Sequence, residues 1–270
     1  MSDQAREIWA AGDAYEAYVG RWSRLAAREF VEWLGIPSGL RWLDVGCGTG
    51  ALSQAVLDMC APARLMGIDP SDGFVAHARQ HTVDPRAEFR IVDARALPVD
   101  DADFDVAVSG LVLNFVPDPA DAVAEMSRAV RPLTGVVAAY VWDYAGEMRM
   151  MRYFWDAAVA LDPAARDKDE GIRFPLCRPE PLRELFTAAG LIDVEVRAID
   201  IPTVFRNFDD YWAPFLGGQG PAPGYCMALP EERRNTLRDR LRSILPSEPD
   251  GGIHLTARAW AVRGKRRGRG

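Results

Sequence analysis

Residues 43–50 read LDVGCGTG, with Gly46, Gly48 and Gly50 at alternate positions behind the apolar run RWLDV of 41–45. Glycines at this spacing permit positive φ and let main-chain atoms approach a ligand closely, while the helix predicted over ALSQAVLDMC offers free N–H groups. The stretch also satisfies the dinucleotide pattern G-x-G-x-x-A through Gly46, Gly48 and Ala51, with Asp69 further on. Taken locally, a NAD site and another nucleotide-type cofactor fit alike.

The surroundings of the loop are more specific. RLMGID at 64–69 and EFRIVDA at 88–94 read as further strands, with the helical DGFVAHARQ between them. Asp44, Asp69 and Asp93 thus stand at three successive strand ends, 25 and 24 residues apart, one βα unit per step. FDVAVSG at 104–110, GVVAAYVW at 135–142, DVEVRAID at 193–200 and TARAWAVRG at 256–264 supply four more strands. Seven strands with interleaved helices predict an α/β fold with a doubly wound, mostly parallel sheet, whose ligands sit beyond the carboxyl ends of the strands. A pyrophosphate would be repelled by Asp44 two residues before the first glycine; a cofactor carrying an ammonium and a sulfonium would be attracted.

The motifs LDVGCGTG, GIDPS at 67–71, VDARALP at 92–98, FDVAVSGLVLNFVPDP at 104–119 and RPLTG at 131–135 together resemble a class I S-adenosylmethionine-dependent methyltransferase of the small-molecule, type 11, quinone-biosynthesis-like group. The resemblance covers about residues 10–200 and the final strand. It implies a Rossmann-like methyltransferase fold with helical lid insertions, S-adenosylmethionine as cofactor and S-adenosylhomocysteine as product. By matching position, Asp44 and the Gly46 carbonyl face the methionine amino group, with Cys47, Gly48 and Gly50 completing the close approach. Asp69 holds the ribose hydroxyls, Pro70 and Ser71 border the adenine, Asp93 and the Ala94 N–H meet its edge, and Ser109 sits near the methyl group. Tyr18, Arg21 and Trp22 lie in a leading segment like the helix that closes the pocket in this family, where they would contact the methionine carboxylate or cover the site; packing of the aromatics on the core is the alternative.

Catalytic residues are less legible. Methyl transfer to an activated sulfonium needs alignment above all, and a base only when the acceptor holds a proton of high pKa. Related quinone-type enzymes often have histidine after the fourth strand, where this chain has Asn114. Asp143 and Tyr144, at the end of the fifth strand, are the other candidates, although strand-end polar residues commonly cap loops. His77, His81 and His254 read as structural or exposed.

The expected organisation is one methyltransferase domain over 1–270, with an N-terminal helical cover at 1–35, insertions at 144–180 and 201–252, and a basic disordered tail at 264–270. Phe205, Phe208, Trp212 and Phe215 fall at helical spacing, which core packing explains first. An acceptor wall that also includes Trp155, Phe174 and Tyr225 is the alternative, with GGQGPAPGY at 217–225 as hinge or lid. The expected acceptor is accordingly a small apolar or aromatic metabolite.

Composition narrows the classes further. With 49% hydrophobic and 26% charged residues the chain is ordinary for a globular protein, and its longest apolar runs fall far short of the roughly 20 residues that span a bilayer. The N-terminus lacks a secretory pattern, so a cytoplasmic location is expected. Cys47, Cys60, Cys177 and Cys226 are far apart, which suggests neither a metal site nor disulfides. Net charge is −7, and removing the five cations of the last eight residues leaves −12 on the rest, unfavourable for a nucleic acid partner. No [DN]-P-P-[YFW] slot for a flipped base follows the fourth strand. A nucleic-acid methyltransferase, a NAD-linked oxidoreductase and a cofactor-binding partner without turnover are the competing readings, and monomer and homodimer are both open.

Overall fold

The computed structural model describes residues 20–218 and 220–268. Strands β1 (Arg41–Val45), β2 (Arg64–Asp69), β3 (Ala87–Ile91), β4 (Val106–Gly110), β5 (Val136–Trp142), β6 (Leu191–Phe205) and β7 (Ile253–Arg266) form one sheet in the order β3-β2-β1-β4-β5-β7-β6. β3, β2, β1, β4 and β5 pair in parallel, with Asp44 level with Gly67 and Val108, and Ser109 level with Ala139. The inner strands are buried along almost their whole length, which is why they read as unbroken apolar runs instead of alternating ones. The order reverses between β1 and β4, so the crevice at their carboxyl ends is the place for a ligand.

The last two strands run the other way to each other. Asp193 pairs with Lys265, Glu195 with Arg263 and Asp200 with Arg258, so rising numbers on β6 meet falling numbers on β7. This ladder corrects the expected disordered tail: the strand continues through Gly264 and Lys265 to Arg266. There the Arg266 guanidinium donates to the carbonyls of Arg128 and Val130. Two of the cations that suggested a solvated end, Arg263 and Lys265, are the partners of acids on β6.

The single expected domain divides into two compact units. The sheet unit comprises Ser23–Val141, Arg178–Ile199 and the chain from Trp260 onward. It contains β1 to β4, most of β5, and the adjoining parts of β6 and β7. Its helices are most of α1 (Arg21–Leu34), then α2 (Ala51–Cys60), α3 (Asp72–His81), α4 (Pro119–Ala129) and, once α5 and α6 below are counted, α7 (Pro179–Ala188). Phe30 of α1 packs on Tyr140 of β5 with ring centroids 4.6 Å apart, both fully buried or nearly so. In the RPLTG turn, exposed Leu133 adopts φ +70°, a left-handed conformation that costs a branched residue about 1 kcal/mol or more. Leu133→Asn, which tolerates that region, is expected to raise the melting temperature by about 2–4 °C in a thermal scan; no rise would show that the Leu133 side chain compensates its own strain.

The helical unit comprises Trp142–Cys177, Asp200–Ala259 and the described residues up to Trp22. Its helices are α5 (Arg149–Leu161), α6 (Glu170–Arg173), α8 (Phe208–Trp212), α9 (Pro221–Ala228) and α10 (Glu231–Ile244). Phe154 stacks on Phe215 at 4.5 Å, the Tyr211 hydroxyl donates to the Met150 carbonyl, and Arg152 grips both oxygens of Asp169. The Trp155 indole N–H donates to Glu170, a carboxyl so buried that its pKa is pushed up to about 7. The aromatic stripe is not one helix: Phe205 ends β6, Phe208 and Trp212 lie on α8, and Phe215 lies in the 3-10 turn Ala213–Gly217. The strand's buried face runs through Ile201, Thr203 and Phe205, a period of two that overrode the helical spacing. PAPGYCMA, expected as part of a hinge, is helix α9, started by a proline at its first turn. Among the described residues no helix is long and apolar enough to cross a membrane.

Candidate functional site

The site is built at the carboxyl ends of β1, β2 and β4 in the sheet unit. Asp44, the penultimate residue of β1, is fully buried. Its Oδ2 accepts from the Ser53 hydroxyl at 2.7 Å, and its Oδ1 has no partner. Burial pushes its pKa up to about 7; the Ser53 hydrogen bond lowers it and the charge of Asp69 adds to the rise. A carboxylate with one orphaned oxygen in a dry place is costly unless something positive or donating meets it. Ser53 was missed by sequence reading; its position on the first turn of the following helix, facing the loop, was the available signal.

The loop itself is pinned by main-chain bonds. The N–H groups of Gly46 and Cys47 both donate to the Ile68 carbonyl at 2.8 Å, and Gly50 closes a turn onto Cys47. Gly46, Gly48 and Gly50 have φ of +76°, +52° and +94°, and Gly50 caps α2 from the left-handed region. A side chain on Gly46 would collide with Val112, whereas nothing stands within 4 Å of the direction a Gly48 side chain would take. Val112, also missed, sits just after β4 beside Leu111, itself held at φ +62° while its N–H donates to Tyr140. The Cys47 thiol is buried and burial holds its pKa well above the ordinary thiol range, so it packs the loop and is not a nucleophile.

Asp69 ends β2. Its Oδ2 accepts from the Gly48 N–H at 3.0 Å and its Oδ1 from the Ser71 N–H at 2.9 Å. Burial raises its pKa, opposed by those two bonds. Each oxygen keeps a further lone pair, so the carboxylate can still take two hydroxyl donors. Pro70 is exposed beside it, and Ser71 caps α3, accepting from the Phe74 N–H.

Asp93 is placed differently from what the spacing implies. It is largely exposed, and Arg95, two residues on, holds both its oxygens at 3.0 and 2.7 Å while its own N–H donates to Oδ1. The Arg95 hydrogen bonds hold its pKa below the usual range. The acidic rim therefore has two unneutralised members, Asp44 and Asp69, in place of three. Ala94 is buried next to Asp93, and Ser109 is buried on β4 with its hydroxyl unpartnered.

Asn114 lies in the 3-10 turn Leu113–Phe115 with both its amide oxygen and nitrogen buried and unpartnered. Asp143 and Tyr144 belong to the helical unit. Asp143 accepts from the N–H groups of Gly146 and Glu147 at 3.1 and 2.9 Å, a loop-capping role that occupies the carboxylate expected as a base. Tyr144 is buried against Phe174. Trp22, also in the helical unit, packs on Phe205, and Tyr18 lies outside the described residues. His77 and His81 stack on each other along α3, with His81 Nδ1 2.9 Å from the His77 carbonyl.

Comparison with known proteins is concordant. Residues 43–138 match the family model of a methyltransferase domain, Methyltransf_11. The 2-methyl-6-phytyl-1,4-hydroquinone methyltransferase of Synechocystis is 29% identical over 195 residues, 70% of this chain and 59% of that one. The ubiquinone biosynthesis O-methyltransferase of Leptothrix cholodnii is 36% identical over 103 residues, 37% of this chain and 43% of that one. Phosphoethanolamine N-methyltransferase 2 of Haemonchus contortus, solved in complex with S-adenosyl-L-methionine, shares the fold with a TM-score of 0.62 at 16% identity, covering 98% of this chain and 60% of its own. The chain spans between 27% and 59% of the length of the first curated relatives it matches.

Proposed function

We propose that the chain is a class I S-adenosylmethionine-dependent methyltransferase of the quinone-biosynthesis-like group, to which its matches to the methyltransferase domain model and to the quinone methyltransferases point, and that it transfers a methyl group from S-adenosylmethionine to a small apolar or aromatic metabolite. The observation that carries the reading is the orphaned Oδ1 of Asp44, buried beside a second raised carboxylate in the glycine loop. Two unneutralised acids at this point repel a pyrophosphate and suit an ammonium. S-adenosylmethionine supplies a methyl already activated on a sulfonium.

The chain's own residues bind and align. Asp44 takes the ammonium, Asp69 uses its spare lone pairs for the ribose hydroxyls, and the open side of Gly48 admits the ligand against the main chain. Asp93 reaches the adenine edge only by sharing its carboxylate with Arg95. Of the three candidates for the acceptor, Asn114 alone keeps both a donor and an acceptor unmatched, so it holds a group that both gives and takes a hydrogen bond, such as a hydroxyl. Being neutral, it orients the acceptor atom without removing its proton.

Titration of the purified full chain with S-adenosylhomocysteine and with NADH tests the cofactor. Saturable binding of the first alone is expected, and binding of NADH alone would overturn the reading. Incubation with methyl-labelled S-adenosylmethionine and a panel of hydroquinones and phenols then tests transfer, with Asn114→Ala expected to lose turnover while retaining S-adenosylhomocysteine affinity.

A further inference from the structure

Within the helical unit a cavity of about 190 Å³ opens between α5, α9 and α10. Its walls are apolar: Ala158 and Leu237 are buried, and Leu161 and Leu229 close the sides. The ring of Tyr225 completes the lining and is held in place by Trp155 at 5.3 Å and Phe154 at 6.2 Å. An apolar cavity of roughly 150 Å³ is enough to hold benzene. This one therefore has room for a single ring or a branched aliphatic chain.

Two opposite charges stand at its mouth. Asp162 follows the last residue of α5, and Arg233 lies on the first turn of α10. Their closest approach, Arg233 Nη1 to Asp162 Oδ2, is 3.6 Å, longer than a good N–H···O hydrogen bond. The side chains are 69% and 40% exposed, so solvent reaches the cavity beside them. Asp162 Oδ1 accepts from the Ala164 N–H at 3.0 Å, and Oδ2 meets the guanidinium alone. A loose, exposed pair of this kind contributes at most about 1 kcal/mol, which leaves both groups available to a ligand.

The signs decide what fits. A carboxylate alone would be attracted by Arg233 and repelled by Asp162, and an amine alone would meet the reverse. A neutral ring would fill the cavity and leave the charged mouth unused. A molecule with an ammonium and a carboxylate on one carbon, and an apolar side chain beside them, satisfies all three features. Its ammonium lies against Asp162 Oδ2, its carboxylate against Arg233, and its side chain fills the space under Tyr225. The four charges then alternate in sign, so each attracts its neighbours.

We propose that this cavity binds a free α-amino acid with a single-ring or branched apolar side chain. The site lies wholly within the helical unit and is independent of the methyl-transfer reading. Isothermal titration of the full chain with L-phenylalanine, with 3-phenylpropanoate, which lacks the ammonium, and with 2-phenylethylamine, which lacks the carboxylate, tests it. L-Phenylalanine is expected to bind saturably in the millimolar range, and each single-charge analogue at least about fivefold more weakly. Arg233→Gln and Asp162→Asn are each expected to weaken L-phenylalanine by about three- to tenfold, with the melting temperature of the free protein within about 2 °C of the parent. Asparagine keeps an oxygen for the Ala164 N–H, so a loss in that variant reports the charge and not the cap. Leu161→Trp, at a lining position that is 45% exposed, is expected to fill the cavity and abolish binding. Absence of saturable L-phenylalanine binding, equal binding of either analogue, or unchanged affinity in both charge variants or in Leu161→Trp would overturn the site.

Discussion

Asp44→Asn is expected to weaken S-adenosylhomocysteine binding by about ten- to hundredfold at pH 8 and, at the same pH, to make the ligand-free protein more stable. Both effects come from one property. The Asp44 carboxyl is fully buried and its pKa stands at about 7, against an ordinary 3.8. In the window between those values the folded protein holds a proton that the unfolded chain has released. Stability therefore falls as pH rises through it, by on the order of 4 kcal/mol for a group shifted this far. Asparagine keeps an acceptor for the Ser53 hydroxyl and carries no charge, so the variant escapes that loss. The ligand's ammonium requires the ionised carboxylate, which gives binding the opposite sign: affinity rises with pH up to about 7 and then levels. Below that point each binding event must release a proton, and the dissociation constant rises by about tenfold per pH unit. Denaturant unfolding and calorimetric titration at pH 5 to 8, in buffers of differing ionisation enthalpy, measure both slopes. Identical slopes in the two proteins would remove Asp44 from the ligand's charge.

The parts of this arrangement that the sequence made legible are those fixed by local rules. The inner strands announced themselves because burial on both faces demands unbroken apolar runs, and the glycine loop because left-handed backbone at Gly46 and Gly50 excludes most other residues. Asp44 and Asp69 were found by their place at strand ends. What escaped depends on neighbours that a pattern does not weigh. Asp93 has the same spacing as the other two, yet Arg95 two positions on claims its carboxylate. Asp143 looked like a base and is tied to the N–H groups of its own loop. The basic C-terminus looked solvated because its partners, Asp193 and Glu195, lie some seventy residues earlier on the adjoining strand. The cavity beside Tyr225 was invisible for a related reason: a space left between packed helices is a property of the folded surroundings, and no residue type carries it alone.

The second large effect concerns two glycines that look equivalent in LDVGCGTG and are not. Gly46 and Gly48 both have positive φ, so an alanine at either costs about 1–2 kcal/mol in backbone strain. At Gly46 a Cβ would also come within 2.4 Å of Val112 Cγ1 and 2.7 Å of its Cγ2. Overpacking of that kind adds about 1–3 kcal/mol, so Gly46→Ala is expected to be destabilised by about 2–5 kcal/mol in denaturant unfolding. Val112→Ala in the same chain removes the colliding methyls and is expected to recover part of the loss, with a coupling energy of about 1–3 kcal/mol in the double-mutant cycle. At Gly48 nothing stands within 4 Å, so Gly48→Ala pays for strain alone and keeps most of the fold. Its Cβ nevertheless projects into the open space beside the loop, where the proposed ligand would lie. Gly48→Ala is therefore expected to lose at least about tenfold in S-adenosylhomocysteine affinity while its unfolding free energy stays within about 2 kcal/mol of the parent. Such a separation of binding from stability would assign the first glycine to packing within the protein and the second to the ligand. Normal affinity in Gly48→Ala would place the ligand elsewhere on the rim.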